Sequence, residues 1–342
     1  MCDIHKINII APNIKNGGGK ELLEYLLIHL EKKYKTTQVI VYIDSLININ
    51  ETNNRVVVKL SSTLSKINLF SKRIDNSIYF GNLPPLVKSS NSIVYLHNAY
   101  LIMSINNLFS QSVRFIFKYG LQQIYLYYFL KNIDVIACQN LTIKTALINK
   151  YNYNNVEIFP FYRVCPKPKK LLNKVYDFCY ISLAHPHKNH YLLFEALEIL
   201  GKKGFSISIV VTIEDSREDL IEKLTHINSL YDIRIVNVGS ISKWAVCEVY
   251  QKTKCLIFPS TFETFGLALV EAAEMGLDII AADLSYTHEI ISTPYLFDPT
   301  SVLSCAGVIE SYLDTTSPSK CSKKIENKVD ELINKIIRNS NV

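Results

Sequence analysis

Short apolar runs rich in β-branched residues alternate along the chain with stretches whose apolar residues recur every three or four positions. The runs "INIIA" (7–11), "QVIVYI" (38–43), "RVVVKL" (55–60), "SIVYLH" (92–97) and "DVIAC" (134–138) predict buried strands. Between the first two, Leu22, Leu23, Leu26, Leu27 and Leu30 form one apolar stripe at helical spacing. Strands apolar on both faces, joined by helices, imply a parallel sheet covered on both sides. The rhythm breaks over residues 159–175, "FPFYRVCPKPKKLLNKV", where prolines and lysines suit neither strand nor helix and predict an interdomain linker. It restarts with "YDFCYIS" (176–182), "SISIVVT" (206–212), "IRIVNVG" (233–239), "CLIFPS" (255–260) and "DIIAAD" (278–283) as strands. Helical patterns separate these near 189–201, 216–228, 242–252, 265–275 and 301–313.

The predicted fold class is therefore α/β, with two doubly wound Rossmann-like domains facing a central cleft. The domains span 1–165 and 166–320, and residues 321–342 form an amphipathic helix packed on one of them. Ligands of such sheets bind outside the carboxyl ends of the strands.

Composition narrows this little. The chain has 342 residues, 48% hydrophobic and 20% charged, which fits two globular domains. Its net charge of +6 suits an anionic small molecule or an acidic membrane surface as well as nucleic acid. No clustered Lys/Arg face lies outside the linker, so nucleic acid is not an expected partner. The eight cysteines are scattered without a Cys-x-x-Cys pair and read as small core residues in a reducing compartment. No signal peptide and no transmembrane run is expected, which predicts a cytoplasmic protein.

Gly17, Gly18 and Gly19 stand between the first strand and its helix, where glycines often cradle phosphate. A Walker A loop is absent: Glu21 follows Gly19-Lys20, and Ile14 occupies the first glycine position. A dinucleotide fingerprint fails at Leu22. On its own residues the triplet fits a phosphate loop or a tight turn.

Residues 258–283, "FPSTFETFGLALVEAAEMGLDIIAAD", carry the most chemistry. A strand ends at Pro259-Ser260, a short loop bears Glu263, and a helix begins near Gly266 with Glu271 inside it. The helix start offers unpaired amides and a positive dipole end, an anion site suited to a diphosphate. With its flanks over about 176–300, this segment resembles the donor-binding Glu-x7-Glu signature of retaining glycosyltransferases of the GT-B fold, family 4 or "group 1". The resemblance implies that Glu263 contacts the sugar hydroxyls and Glu271 the ribose. The backbone of Phe265, Gly266 and Leu267 would meet sugar and phosphate, and Lys188 would neutralise the leaving diphosphate.

An arginine that many relatives carry after the preceding strand is missing, since Ile181-Ser182 stand there. Ser182 and His187 join the implied donor site, and His185, His187 or His190 either replace that cation or have no role. His97, at the end of a predicted strand, is implied to approach the transferred sugar, unless it is structural. Gln139 and Asn140 are weaker candidates of the same kind. The glycine triplet becomes a loop toward the β-phosphate and the acceptor.

No metal site is expected: the histidines lack a local carboxylate or cysteine, and no Asp-x-Asp clamp occurs. No cofactor is expected beyond a nucleotide-diphosphate sugar as co-substrate. Residues 114–131, "RFIFKYGLQQIYLYYFLK", suit either domain packing or an anionic bilayer surface.

The implied function is sugar transfer to a saccharide or polyprenyl-linked acceptor in lipopolysaccharide, O-antigen or capsule biosynthesis. A sugar-nucleotide epimerase and a degenerate nucleotide-sugar-binding partner subunit are the alternatives. The missing arginine and Asp278, which stands where the family usually has proline, keep the last of these open.

Overall fold

The structure is a computed structural model and describes residues 6–15, 17–103, 113–166, 173–316 and 320–339. The chain divides into two compact units, Met1–Arg163 with Glu326–Val342, and Val164–Ile325.

The first unit runs β1 (Lys6–Ala11), α1 (Gly17–Lys33), β2 (Gln38–Asp44), β3 (Arg55–Leu60), α2 (Thr63–Phe70), β4 (Ser77–Tyr79) and β5 (Ser92–Tyr95). It continues with α3 (Val113–Phe129), β6 (Val135–Cys138), α4 (Leu141–Tyr151) and β7 (Val156–Ile158). Its seven strands form one sheet in the order β3-β2-β1-β4-β5-β6-β7, and all pair in parallel. The apolar stripe of α1 is buried as its spacing requires: Leu22, Leu23, Leu26, Leu27 and Leu30 are at most 3% exposed. Each such leucine stabilises the fold by roughly 1.5–3 kcal/mol.

The second unit contains β8 (Tyr176–Tyr180), α5 (His190–Lys202), β9 (Ile207–Val211), α6 (Glu218–Leu230), β10 (Ile233–Asn237), α7 (Lys243–Lys252) and β11 (Thr253–Phe258). Next come α8 (Leu267–Glu274), β12 (Asp278–Ala282), α9 (Ser285–Ile290), β13 (Ile291–Ser292), β14 (Tyr295–Phe297), α10 (Val302–Leu313) and β15 (Ser322–Lys323). Its six-stranded sheet has the order β10-β9-β8-β11-β12-β14, again all parallel. β13 and β15 make a separate two-residue antiparallel pair.

The last helix, α11 (Val329–Asn339), packs in the first unit. Asp330 in its opening turn accepts from Lys33 Nζ at 2.6 Å and Tyr34 Oη at 3.0 Å, and lies 2.8 Å from His29 Nε2. Its own Val329, Leu332, Ile333 and Ile336 form the buried face of the helix.

Two strand orders matter for function. In each sheet the chain winds outward from the first strand, then returns to that strand's other side. The order therefore reverses between β1 and β4 in the first unit, and between β8 and β11 in the second. Loops leaving adjacent strands on opposite courses separate there and open a crevice at the strands' carboxyl ends.

One cysteine expectation is overturned. Cys165 and Cys247, both in the second unit, form a disulfide with their Cα atoms 5.7 Å apart. They are 82 residues apart in sequence, so no spacing motif announces the pair. Cys138, Cys179, Cys255 and Cys305 are buried free thiols, as expected of core cysteines. Within the expected linker, residues 167–172 lie outside the described residues.

Candidate active site

In the second unit, the reversal point is built from two loops. One leaves β8 and carries Ser182, His185, His187 and Lys188 before α5; the other leaves β11 and carries Ser260 and Glu263 before α8. They are tied by the carbonyl of His187, which accepts from the Thr261 amide at 2.8 Å and from Ser260 Oγ at 3.2 Å. Two buried tyrosines pin the loops from below. Tyr180 Oη donates to the Lys188 carbonyl at 2.6 Å, and Tyr286 Oη to the Ser260 carbonyl at 2.6 Å. Burial holds both phenols well above their usual range, and the Glu263 charge adds to that, so both remain hydrogen-bond donors.

Lys188 and Glu263, two separate candidates in the sequence, meet in an ion pair, with side chains 17% and 12% exposed. The ammonium also lies 5.7 Å from the centre of the Phe258 ring. Such a pair holds a cation beside the crevice, with each charge compensating the desolvation of the other.

Glu271 is 7% exposed, within α8. It ion-pairs with Lys243, the first residue of α7, and receives Tyr250 Oη at 3.5 Å. Sequence reasoning did not single out Lys243 or Tyr250, because nothing local to either ties it to α8.

Gly266 precedes α8 with φ +67°, a left-handed conformation that disfavours any side chain. A Cβ there would point at Leu269 and Ile290, inside the unit. The glycine thus has a conformational reason, in addition to the backbone approach expected of it. Phe265 is buried at 2% and anchors the loop, while Leu267 is half-buried at the helix start. Ser182 is half-buried and exchanges hydrogen bonds with Thr212, its amide donating at 2.9 Å and its carbonyl accepting at 3.0 Å.

The three loop histidines all have lowered pKa values. Burial, aided by the Lys188 charge, lowers the pKa of His185 and takes His187 to about 4. Burial, with Arg217 next, takes His190 to about 3. All three imidazoles are therefore neutral near pH 7. Arg217, just ahead of α6, donates to the Ala184 carbonyl of the same loop and pairs with Asp219 at 2.6 Å. It is a cation beside this loop that the sequence pattern did not identify. Asp278 accepts from Tyr312 Oη at 2.9 Å, which gives this residue a structural partner at the start of β12.

In the first unit the reversal point carries Gly17–Gly19, Asn82 and His97. The three glycines form the first turn of α1 rather than a loop ahead of it. Gly17 has φ +67°. At Gly19 a Cβ would sit 2.8 Å from His97 Nε2, so the absent side chain leaves room for the imidazole. Asn82 fixes that ring: its Oδ1 accepts from the His97 amide at 2.7 Å, and its Nδ2 lies 3.3 Å from Nε2. Phe80 stacks on the ring at 5.2 Å. Burial holds the His97 pKa down to about 4, against a hydrogen bond to the Tyr95 backbone that works the other way. Of the weaker candidates, Gln139 and Asn140 are buried at 2% and 3%. Asn140 Oδ1 caps α4 by accepting from the Ile143 amide at 2.8 Å. Among the described residues, no group of three or more His, Cys, Asp or Glu is arranged to hold a metal ion.

These features can be set beside known proteins. Residues 166–329, just under half of the chain, match the family model "Glycosyl transferases group 1". The "O-antigen chain mannosyltransferase RfbU" of Salmonella typhimurium is 22% identical over 227 residues, covering 64% of this chain and 62% of that protein. The "Serotype-specific mannosyltransferase WbdA" of Escherichia coli is 32% identical over 116 residues, covering 33% of this chain. This chain thus spans only 14% of the length of WbdA. Sucrose-phosphate synthase from Thermosynechococcus elongatus superposes with a TM-score of 0.70 at 13% identity, covering 97% of this chain and 94% of that one. Anabaena Alr3699/HepE, solved in complex with UDP and glucose, gives 0.63 at 14% identity, covering 98% of this chain and 97% of that one. In sequence, then, residues 166–329 match the group 1 glycosyl transferases, and in architecture the two units are those of the GT-B fold.

Proposed function

We propose that the chain is a retaining, metal-independent glycosyltransferase of family 4, moving a sugar from a nucleotide-diphosphate donor to a saccharide or polyprenyl-linked acceptor. The pathway proposed is O-antigen, lipopolysaccharide or capsule assembly. The observation that carries this reading is the Lys188–Glu263 pair at the β8/β11 reversal, beside the start of α8.

In the proposed reaction the bond between the donor sugar and the β-phosphate oxygen breaks with its electron pair staying on that oxygen, while an acceptor hydroxyl oxygen bonds to the anomeric carbon and gives its proton to the departing phosphate. The Lys188 ammonium has three N–H donors, so it holds Glu263 and also meets the developing charge. The first-turn amides of α8 act on the same diphosphate. Glu263 accepts from sugar hydroxyls and Glu271 from the ribose. Phe265, Gly266 and Leu267 present backbone, and Ser182 and neutral His187 supply uncharged hydrogen bonds. In the first unit, His97 and Gly17–Gly19 are assigned to the transferred sugar and acceptor. His97 acts there as a neutral hydrogen-bonding group rather than a cation.

A membrane contact belongs to this proposal. The outer face of α3 exposes Val113, Phe117, Leu121, Ile124, Tyr127 and Tyr128. Arg114, Lys118 and Lys131 are exposed around them, and no acidic residue interrupts the 113–131 segment. Apolar residues ringed by cations suit an anionic bilayer surface that presents a lipid-linked acceptor. Among the described residues, no helix is long and apolar enough to cross a membrane.

The test is a screen of the purified protein against UDP-, GDP-, dTDP- and CMP-sugars for binding and slow donor hydrolysis. Mannose is the first sugar to try, because the two relatives are named as mannosyltransferases. Release of the sugar with its anomeric configuration kept supports the reading. Binding of none of these donors overturns it, and donor isomerisation without acceptor supports an epimerase instead.

A further inference from the structure

We propose that Lys243 is a specificity residue of the nucleotide site, forming with Glu271 an ammonium–carboxylate pair that reads the vicinal hydroxyls of a ribose. The site then favours ribonucleoside diphosphates over their 2′-deoxy forms. This rests on the assignment of Glu271 to the ribose made above.

Three observations carry it. First, the pair is nearly out of solvent, with side chains 15% and 9% exposed. Burying two ions costs several kcal/mol, and apolar residues of similar volume commonly fill such a place at no loss of stability. Second, Lys243 opens α7, where the positive end of the helix dipole disfavours a cation. Ser242 already caps that helix, its Oγ accepting from the Ala245 amide at 3.3 Å, so the lysine is not needed as a cap. A residue that breaks two local rules at once marks a functional position. Third, the lysine reaches from α7 to a carboxylate on α8, joining the elements that follow β10 and β11 at the carboxyl edge of the sheet.

The chemistry follows from donor and acceptor counting. A carboxylate only accepts, and an ammonium only donates. A hydroxyl that gives its proton to Glu271 keeps lone pairs, which a Lys243 N–H can fill. Two neighbouring hydroxyls satisfy the pair together, while Tyr250 Oη steadies the second carboxylate oxygen at 3.5 Å. A sugar lacking one hydroxyl makes one hydrogen bond fewer to this nearly buried charged pair, and the site discriminates against it. One consequence is that a dTDP-sugar is a poor donor.

Trp244, the only tryptophan of the chain, lies next to Lys243 and is 66% exposed, so its fluorescence reports on this site. Titrating the whole chain with UDP and 2′-deoxy-UDP, and with GDP and 2′-deoxy-GDP, gives the affinity ratio for each base. The wild type is expected to favour the ribo form of its own base by at least about tenfold. K243M is expected to reduce that ratio below about threefold, chiefly by weakening the ribo form, and K243R to restore part of it. A merely structural lysine would change both affinities alike and leave the ratio as it was. Should K243M not fold, K243Q, whose amide can still hydrogen-bond Glu271, is expected to lower the ratio part of the way. A wild type that binds both forms equally, or a substituted protein that keeps the wild-type ratio, overturns the inference while nucleotide binding itself stands. If the wild type binds no nucleoside diphosphate, the function proposed above falls and takes the inference with it.

Discussion

Lys188 and Glu263, 75 residues apart in the chain, form one ion pair across the point where the second sheet reverses its strand order. Each stands in a loop whose backbone a buried tyrosine holds, Tyr180 for one and Tyr286 for the other. The arrangement holds a cation and a carboxylate in place, which is the preorganisation that the proposed donor role requires.

Replacing either member should therefore cost activity more than stability. Lys188→Ala and Glu263→Ala are expected to keep the circular dichroism spectrum of the wild type. Transfer should fall by about a hundredfold or more, the scale of losing one preorganised charge-stabilising group. Wild-type rates in both variants would refute the assignment.

Gly19 and His97 give a second test. An alanine at Gly19 puts a methyl where a Cβ would lie 2.8 Å from the imidazole. Gly→Ala inside a helix otherwise gains up to about 1 kcal/mol, which offsets the cost of shifting one ring. Gly19→Ala should thus leave the melting temperature within a few degrees of wild type while transfer falls about tenfold. A variant with full activity would detach His97 from the reaction.

Acid should destabilise the second unit through His190. Its imidazole is 3% exposed and titrates at about 3 in the folded protein, against 6.5 for the free group. Below about pH 6.5 the unfolded chain binds more protons, so stability falls as pH drops through that window and levels off below about pH 3. Melting curves from pH 7 to pH 4 should show the decline, and His190→Leu should make it shallower, the remainder coming from the other imidazoles with lowered pKa values, His97, His185 and His187. An equally steep decline in that variant would place the effect on other groups.

The Cys165–Cys247 disulfide closes a long loop within one unit. Its loss in Cys165→Ser/Cys247→Ser should lower stability by about 2–4 kcal/mol. Thiol titration of the denatured protein, with and without reductant, should differ by two groups. Equal counts would show that the bond does not form.

The α3 face predicts binding to vesicles containing anionic lipid at low salt and release at high salt. Phe117→Glu/Ile124→Glu should abolish sedimentation with such vesicles and leave nucleotide affinity unchanged. Failure of the wild type to sediment would remove the membrane from the proposal.

Much of the fold was legible because parallel strands buried on both faces must be continuous apolar runs. "RVVVKL" marks β3 at its observed bounds, and the five leucines of α1 mark its buried face. β4 and β7 escaped notice because three residues are too few to establish a period. Among candidate residues, Glu263, Glu271 and Lys188 were singled out by the resemblance of their strand–loop–helix segments to a known signature. Asn82, Tyr180, Lys243 and Tyr286 were not, since each acts on a residue far along the chain.

The division has a physical cause. Hydrophobic period, glycine position and local motif are short-range properties, and they determined the two α/β halves and a helix start at Gly266 with Glu263 ahead of it and Glu271 inside it. Pairing is long-range: which cation meets which carboxylate, which thiols join and which histidines lose their charge depend on strand order and burial. Only the tertiary structure decided that Lys188 meets Glu263, that Lys243 meets Glu271, and that the loop histidines are neutral.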